Sequence, residues 1–555
     1  MTNISGGELV IRTLLQAGVE QIFALHGAHI ETLFQSCREH EVGVLDTRHE
    51  AAAGHAAEGY ARAARRLGVA MITAGPGFTN VVTSIANAYL DRTPVLYLAG
   101  SAALGDAETN TLQAGIDQVA VAAPVTKWAH RITTVDQLPR LTAQAVRIAT
   151  SPPMGPVLLD LPMDVLSATV AEQDIAIPET VLLDAPAAPA DPCIEASLAL
   201  LRQSRRPVIL AGGGVWEARA ESALAEFVEK TGIPVYSDFA GHGLLPADHP
   251  LYGGTTHKLA DLTEPHRPDA VLILGMRLGL FTLGASDALI PKAARIIHVD
   301  ADAREIGRLR DVDAGMVADC GEVLAALNQA TGAGWPDYGD WQGIIAAARV
   351  VRREQFAEAM SRKAPPIHPY QAVRTVVDNL APDAVVIGDG AESYHWLNEV
   401  IQQKQGGSYL THGYLGAVGF GLGLAMGAQT AHPDRRVLCL AGDGAVGFTI
   451  AEFDTMVRNN LPVVTVIMNN RSWAASQHFQ EIVSGTESLI GTRLGEASYH
   501  EVAAGFGCHG AYVERIEDLA PAVRDAFASG RPACINVAVD VVPLPPEVGL
   551  LMSRH

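Results

Sequence analysis

The sequence has little of what marks disulfide-rich, zinc-binding or membrane proteins. Its six cysteines, at positions 37, 193, 320, 439, 508 and 534, stand alone, and no two of them have Cys-x-x-Cys spacing. This distribution indicates neither a disulfide framework nor a zinc site. No apolar run reaches the roughly 18 residues that a membrane helix needs, and no basic segment followed by an apolar one opens the chain. We therefore expect a cytoplasmic protein.

Basic residues are also few relative to acidic ones. The chain has 40 lysines and arginines against 61 aspartates and glutamates, so its formal net charge is −21 at pH 7. So acidic a protein repels phosphate backbones and anionic lipids, which argues against nucleic acid or a membrane as partner. At 555 residues, 48% of them hydrophobic, the chain is too long for a single hydrophobic core, and we expect about three domains.

Apolar segments alternate with alanine-rich helical segments along most of the sequence. This alternation predicts an α/β protein with doubly wound parallel sheets that are covered on both faces. We place three domains at residues 1–183, 191–340 and 367–545, with a Pro/Ala-rich linker at 185–192 and a polar connection at 330–366. The first and third domains are expected to be similar in architecture.

The strongest chemical signal begins at the end of an apolar strand predicted at residues 437–441. The strand is followed by Gly442-Asp443-Gly444. Glycines at the end of a buried parallel strand let backbone N–H groups approach an anion closely, and the aspartate adds a hard oxygen ligand. The segment therefore indicates an anion site with an acidic residue in it.

A second apolar strand, predicted at residues 463–468, is followed by two asparagines. The carboxyl ends of neighbouring parallel strands meet at one edge of the sheet, so we expect Asn470 beside Asp443. With the backbone carbonyl of Ser472, these side chains form an oxygen-only set suited to Mg²⁺ that carries phosphate oxygens.

Two simpler interpretations compete with a metal–diphosphate site. The segment from Gly442 to Gly447 also fits the G-x-G-x-x-G dinucleotide fingerprint. That fingerprint expects an acidic residue after the second strand, whereas this chain has Asn469-Asn470 there. The other alternative is that the glycines only turn the chain and the asparagines only cap it.

A second motif lies in the first domain, where a strand predicted at residues 42–45 leads into an alanine-rich helix that begins close to Glu50. A glutamate in the first turn of a helix commonly does no more than complement the helix dipole. The alanines around Glu50 place it in apolar surroundings, with little but a ligand to bond. Such a carboxyl group suits proton exchange with a nitrogen heterocycle.

Together these motifs resemble the superfamily of thiamine-diphosphate-dependent decarboxylases and acetolactate synthases. The resemblance rests on Gly-Asp-Gly followed by Asn-Asn, on Arg48-His49-Glu50 and on Gly75-Pro76-Gly77, and it covers essentially the whole chain. Within the superfamily, the longest similar segments match the benzaldehyde-lyase branch. These segments are residues 25–30, 47–63, 91–95, 110–119, 127–130 and 412–416.

The resemblance implies a pyrimidine-binding, a middle and a diphosphate-binding domain, with thiamine diphosphate and Mg²⁺ as cofactors. It also implies a homo-oligomer, expected to be a tetramer, whose active sites lie between subunits. Glu50 would bond the pyrimidine ring of the cofactor. The other implied cofactor contacts are Gly390, Ala391, Gly416, Val418, Gly442, Gly444, Ala445 and Asn470. Val418 departs from the larger residue that is usual at its position.

The resemblance further implies that His29 and Gln113 are catalytic and that five residues line the substrate pocket. The pocket residues are Ala28, Leu112, Met163, Tyr394 and Ala475. Leu112-Gln113 is not the histidine pair found in many decarboxylating relatives. The sequence therefore favours a lyase or carboligase that reversibly cleaves aromatic 2-hydroxyketones into aldehydes. The alternative is an acetolactate-synthase-like or decarboxylating enzyme that acts on 2-ketoacids.

Two departures from the relatives bear on the substrate and on a second cofactor. Met163 stands where benzaldehyde lyases have a tryptophan, so we expect a pocket of different shape. Some members of the superfamily bind FAD in the middle domain through an arginine followed by an acidic-arginine stretch. Residues 275–281 contain Arg277 but not that stretch, and we predict that the protein binds no FAD.

Overall fold

The computed structural model describes residues 3–106, 109, 112–183, 186–279 and 287–543, without the side chains of 351–353. Residue 185 of the predicted linker, residues 280 and 281 of the segment compared with flavin enzymes, and the last two residues predicted for the third domain lie outside this part. Three six-stranded parallel sheets organise the chain, which confirms the predicted α/β class. Within the described part, no helix is both long and apolar enough to cross a membrane.

The first domain contains one parallel sheet and a small antiparallel strand pair. Its strands are β1 (Asn3–Ser5), β2 (Gln21–Ala24), β3 (Gly43–Asp46), β4 (Gly68–Ile72), β5 (Val95–Ser101), β6 (Trp128–Arg131), β7 (Val157–Pro162) and β8 (Thr169–Ala171). Its helices are α1 (Gly6–Gln16), α2 (Glu31–Glu39), α3 (Glu50–Ala64), α4 (Pro76–Leu90), α5 (Gln118–Ala122), α6 (Leu138–Thr150) and α7 (Met163–Ser167). As predicted, α3 begins at Glu50; Nδ1 of His49 accepts the N–H of Ala51 and caps this helix.

The middle domain and its connection to the third domain follow. The strands are β9 (Pro207–Ala211), β10 (Val235–Ser237), β11 (Tyr252–Thr255), β12 (Ala270–Leu274), β13 (Arg295–Asp300) and β14 (Ala314–Val317). The helices are α8 (Asp191–Gln203), α9 (Gly213–Glu217), α10 (Glu221–Thr231), α11 (Cys320–Ala330), α12 (Gly339–Glu354) and α13 (Ala357–Ser361).

The third domain carries the remaining strands and helices. Its strands are β15 (Val385–Asp389), β16 (Tyr409–Thr411), β17 (Val437–Gly442), β18 (Val464–Asn469), β19 (His509–Val513) and β20 (Ala533–Ala538). Its helices are α14 (Pro369–Asp378), α15 (Ala391–Val400), α16 (Gly421–Ala431), α17 (Asp443–Val446), α18 (Glu452–Arg458), α19 (Ala474–Ser484), α20 (Tyr499–Phe506) and α21 (Ile516–Ala528). The strands β17 and β18 are parallel neighbours, with Gly442 opposite Met468, as their apolar sequences predict.

Strand order explains where ligand crevices can form. The order is β3-β2-β4-β5-β7-β6 in the first sheet and β16-β15-β17-β18-β20-β19 in the third, which is the same topology; the middle sheet, β11-β10-β9-β12-β13-β14, differs. In an open parallel sheet, a crevice opens at the carboxyl ends of the strands where the order reverses. These points lie between β2 and β4 in the first sheet and between β15 and β17 in the third.

The first and third domains of one chain share a hydrophobic core along helices α3 and α16. The two helices approach so closely that side chains larger than hydrogen do not fit at the contact. A Cβ atom at Gly59 would lie 2.3 Å from the carbonyl oxygen of Leu424, and one at Gly427 would lie 2.0 Å from that of Ala56. These glycines therefore set the position of α3, and of Glu50 at its start, relative to the third domain.

Candidate functional site

The third-domain cradle, defined as Gly390–Ala391, Gly442–Ala445 and Asn470–Ser472, lies where the third sheet reverses its strand order. Gly390 has a φ of 92°, in the region that favours glycine. A Cβ atom at this position would lie 3.3 Å from the backbone nitrogen of Gly442. The ends of β15 and β17 are thus brought close together, with Gly390 buried and Gly442 partly exposed.

The structure brings together the three residues predicted to bind a metal. Backbone N–H groups of Gly444, Arg471 and Ser472 face the Asp443 carboxylate. Asn470 accepts the N–H of Ser472 through its Oδ1 atom, at 3.1 Å. The loop after β18 is therefore folded over Asp443, as expected for neighbouring parallel strands.

The cradle fits a metal-bound diphosphate in the chemistry of its buried carboxylate. Burial raises the pKa of Asp443 to about 6, and its Oδ2 atom is buried without a hydrogen-bond partner among the described residues. A buried carboxylate oxygen of this kind calls for a cation. Beside it, a Cβ atom at Gly444 would lie 2.5 Å from the ring of Trp473, so the close packing of this ring on the backbone requires glycine.

The loop that carries Gly416 and Val418 is tied to the same cradle by a buried aspartate. Asp389, the last residue of β15, accepts the N–H groups of Gly419 at 3.0 Å and Gly421 at 2.8 Å. Gly416 itself has a φ of 68° and is exposed. Sequence reasoning missed this role of Asp389, although an acidic residue at the end of an apolar strand is the kind of signal that identified Asp443.

The first-domain crevice, defined as Ala28–His29, Glu50, Gly75–Gly77 and Gln113, lies where the first sheet reverses its strand order. Glu50 is 7% exposed, and its Oε2 atom accepts a hydrogen bond from Asn80 Nδ2 at 2.9 Å. Its other oxygen, Oε1, would lie 3.5 Å from a Cβ atom at Gly77. The amide of Asn80 thus holds one carboxylate oxygen while the other faces the glycine turn.

His29 lies across the same crevice, in a short turn after β2. Its Nδ1 atom is 3.0 Å from Oγ1 of Thr73, and burial lowers the pKa of His29 below its usual value of 6.5. The imidazole is therefore neutral at pH 7 and can donate or accept a hydrogen bond. Ala28 is exposed beside it.

Gln113 completes the crevice in a strained backbone conformation. Its φ is 60°, unusual for a residue with a side chain, and it packs on Gly75, where a Cβ atom would lie 3.1 Å from three of its carbons. The Gly75 N–H is held by Oε1 of buried Gln118 at 3.1 Å, and Gln118 Nε2 lies 3.3 Å from buried Asp160. This polar network positions the turn, and sequence reasoning did not find it.

A contact between domains fixes the segment that precedes Glu50. The buried carboxylate of Glu452 on α18 accepts the N–H of Arg48 at 3.2 and 3.1 Å, and Thr455 Oγ1 donates to it at 2.7 Å. Burial raises the pKa of Glu452 to about 7. The start of α3 is thus anchored on the third domain.

Within the described part of one chain, no hydrogen bond or ion pair joins the first-domain crevice to the third-domain cradle. The predicted pocket residues are divided in the same way. Leu112 and Met163 are exposed on the first domain. Tyr394 is buried at the start of α15 with its ring 4.6 Å from that of His412, and Ala475 is half-buried at the start of α19. One chain therefore presents two separate half-sites.

A cavity of about 1110 Å³ lies between the three domains, lined among others by Arg65 of the first, Glu217 of the middle and Tyr409 of the third. Arg92 of the first domain enters this region and binds Asp300 at 2.8 Å and Asp302 at 3.0 Å. Arg277, the arginine compared with flavin enzymes, stacks 3.8 Å above the ring of Tyr414. The absence of FAD stays a prediction, and a flavin absorbance of the purified protein would contradict it.

We expect the ion pairs of His478 on α19 to make the stability of the protein dependent on pH. Its Nε2 atom lies 3.0 Å from Glu392 and its Nδ1 atom 3.1 Å from Glu481, and these contacts raise the pKa of His478 from 6.5 to about 9. Because the pKa is higher in the folded state, this stabilisation is complete below pH 6.5 and is lost as the pH rises through about 9.

We therefore expect the melting temperature of the wild type to fall more steeply between pH 6.5 and pH 9 than that of His478→Gln. Differential scanning calorimetry of both proteins across this interval measures the difference. Parallel curves for the two proteins would contradict the assignment.

The sequence matches the models of three domains of the thiamine pyrophosphate enzymes. The N-terminal TPP binding domain matches residues 4–121, the central domain residues 194–327, and the C-terminal TPP binding domain residues 389–537. The three matches occur in the order of the three sheets.

Relatives along nearly the full length are acetolactate synthases. A probable acetolactate synthase of Mycobacterium bovis is 35% identical over 539 residues, 96% of this chain and 95% of the relative. The acetolactate synthase isozyme 1 large subunit of Escherichia coli is 29% identical over 542 residues, 97% and 94% of the two chains. These matches confirm the superfamily resemblance, whereas closeness to the benzaldehyde-lyase branch stays a prediction.

Proposed function

The chain belongs to the thiamine-diphosphate-dependent enzymes, and on this premise we propose that it reversibly cleaves 2-hydroxyketones into aldehydes, with aromatic acyloins as its substrate class. Bound thiamine diphosphate supplies an electron sink that lets a carbonyl carbon react as a nucleophile. The residues of the chain bind this cofactor, orient the substrate and move protons. In the reverse direction the same site joins two aldehydes.

The cofactor assignment uses both half-sites. The third-domain cradle would hold the diphosphate on the backbone of Gly442–Ala445. Asp443, Asn470 and the carbonyl of Ser472 would ligate Mg²⁺, the usual metal of the family. Glu50 would hydrogen-bond to the pyrimidine ring through Oε1, the carboxylate oxygen that does not accept the hydrogen bond from Asn80.

Apolar side chains around both half-sites support an active site shared by two subunits. Phe448 is 64% exposed, Phe479 46% and Ile490 80% in the third domain, and Leu112 is 73% exposed in the first. Large apolar side chains exposed together mark surfaces that another protein covers. We propose that a second copy of the chain covers them and brings its first-domain crevice to this cradle.

The substrate proposal rests on the uncharged side chains in the first-domain crevice. Apart from Glu50, the side chains placed there are uncharged: the imidazole of His29, the hydroxyl of Thr73, and the amides of Asn80 and Gln113. Neutral donors and acceptors suit the hydroxyl and carbonyl of a neutral acyloin. A carboxylate that enters a buried site calls for a cationic partner instead.

A second candidate is an acetolactate-synthase-like enzyme that begins from a 2-ketoacid. The observation that favours it is the identity of 29–35% to acetolactate synthases over nearly the whole chain. Both candidates use the same cofactor but differ in the carbon–carbon bond that is broken first. The acyloin lyase breaks the bond to a hydroxylated carbon, whereas the 2-ketoacid enzyme breaks the bond to a carboxylate.

One experiment separates the two candidates. The purified protein, loaded with thiamine diphosphate and Mg²⁺, is incubated with benzoin, with acetoin, with pyruvate and with benzoylformate, and released aldehyde and carbon dioxide are measured. We expect aldehyde from benzoin and little carbon dioxide from either ketoacid. Carbon dioxide from pyruvate or benzoylformate without cleavage of either acyloin would reject the proposal in favour of the second candidate.

A further inference from the structure

We propose that the buried ion pair between Glu392 and His478 sets the separation of helices α15 and α19 and thereby selects which substrates fit beside the cofactor. Both residues are positioning residues, because their effect passes through the two helices. The inference rests on the proposed function in one respect: it takes Tyr394 and Ala475 as walls of the substrate pocket.

The pair is part of a continuous chain of polar contacts that starts in the third-domain cradle. Ser472 Oγ donates to Gln477 Oε1 at 2.7 Å, and Gln477 Nε2 donates to Glu481 Oε1 at 2.9 Å. The imidazole of His478 then lies between two carboxylates, with Nδ1 3.1 Å from Glu481 Oε2 and Nε2 3.0 Å from Glu392 Oε1. These side-chain contacts thus link the loop after β18 to the first turn of α15.

The position of these polar contacts in the fold connects them with the substrate pocket. Helix α15 begins directly after Gly390, and helix α19 begins two residues after Ser472, so both helices start at the cradle. Tyr394 lies two residues after Glu392 on α15. Ala475 lies three residues before His478 on α19, which puts the two on one face. Tyr394 leaves α15 on the side opposite Glu392, where its ring packs 4.6 Å from that of His412. A change in the distance between Glu392 and His478 therefore shifts α19, with Ala475, relative to the α15 backbone that carries Tyr394.

Burial makes this distance hard to change. The side chain of His478 is 11% exposed and that of Glu392 is 10% exposed. Two such charges are tolerated inside a protein only as partners, since separation leaves each one buried and uncompensated. Helix α19 is also tied to the segment after it, where Gln480 donates to the carbonyl of Ile490 at 3.0 Å and accepts its N–H at 2.9 Å. The ion pair is the contact that holds α19 against α15.

The test compares substrate selection in Glu392→Leu and His478→Leu with that of the wild type. Steady-state kinetics are measured on 2-hydroxyketones that increase in size, and thiamine diphosphate binding with Mg²⁺ is measured by isothermal titration calorimetry. We expect the ratio of kcat/KM between the largest and the smallest substrate to change about 10-fold or more, the scale on which pocket space discriminates substrates. The change should lie mainly in KM, with the cofactor Kd close to that of the wild type.

Asp378→Leu is the matched control. It removes a carboxylate of the same domain whose ion pair with Arg374 is half-exposed on the surface, and the size ratio should stay as in the wild type. A uniform fall in kcat for all substrates in the two test variants, or an unchanged ratio, would overturn the proposal. Either result would mean that the pair only supports the fold.

A double variant keeps the test decisive if one substitution prevents folding. Glu392→Leu/His478→Leu leaves no unpaired buried charge between the helices, and apolar replacements of a buried ion pair are commonly tolerated. If the wild type acts on 2-ketoacids and not on acyloins, the proposed function is wrong. In that case the ratio of kcat/KM between the largest and the smallest substrate is measured on 2-ketoacids. The two proposals can therefore fail separately.

Discussion

Replacement of Glu50 by glutamine will lower turnover roughly 100- to 10,000-fold, the contribution typical of a positioned acid or base, and will leave the fold intact. Glutamine keeps the size of the side chain and can still accept the hydrogen bond from Asn80, which lies 2.9 Å away. It has no carboxylate to exchange a proton with the pyrimidine ring. Single-turnover and steady-state assays with saturating cofactor measure the loss, and calorimetric titration shows whether the diphosphate still binds.

Glu58, on the same helix, is the matched control for this substitution. It is fully buried, and both its carboxylate oxygens accept hydrogen bonds from Asn87 Nδ2 at 2.9 Å, with Arg62 3.3 Å away. Glu58→Gln breaks a buried charge pair, so it should lower the free energy of unfolding by about 3–5 kcal/mol while activity per folded molecule changes little. If Glu50→Gln were fully active, the role assigned to Glu50 would be refuted.

Asp443→Asn is expected to weaken binding of thiamine diphosphate with Mg²⁺ by about 100-fold or more. The reason is that loss of a metal ligand weakens binding more than loss of a residue that only supports the ligand. The substitution removes the charge that faces the cation and keeps the shape of the side chain. Titration calorimetry of the purified protein with the cofactor and Mg²⁺ gives the affinity directly.

Thermal stability provides an independent measurement of the same loss. Cofactor at about 100 times its Kd stabilises the wild type by about 2.7 kcal/mol, whereas a 100-fold weaker site gains only about 0.4 kcal/mol from the same concentration. Asp454→Asn serves as the control, because Asp454 pairs with Arg458 on α18 and is expected to keep the full gain. Equal gains in the Asp443→Asn variant and the wild type would show that the metal binds elsewhere.

Much of the fold and part of the site could be predicted because the relevant signals are local. The strand predicted at 437–441 is observed as Val437–Gly442, and the strand predicted at 463–468 as Val464–Asn469. A buried parallel strand must be apolar throughout, so a few consecutive apolar residues are enough to locate it. The start of α3 at Glu50 and the pairing of β17 with β18 follow from equally short patterns.

The rest of the site could not be predicted because it depends on residues that are distant in sequence. Asn469 and Asn470 look equivalent in the sequence, yet Asn469 donates to Asn536 at 3.0 Å within the sheet, whereas Asn470 belongs to the loop over Asp443. Likewise, only the folded chain brings Asn80 to Glu50. Contacts of this kind depend on which strands lie side by side, and no local pattern encodes that order.

By itself, then, the sequence determined the cofactor family and predicted the two groups of residues that we propose to face the cofactor, because glycines, carboxylates and amides at strand ends are recognisable from the sequence alone. The tertiary structure alone decided that these groups form two half-sites at equivalent reversals of strand order in the first and third sheets. It also decided that a buried ion pair ties Glu392 to His478. The physical reason is that half-sites and ion pairs arise from the packing of whole domains, which brings together side chains that the chain itself keeps far apart.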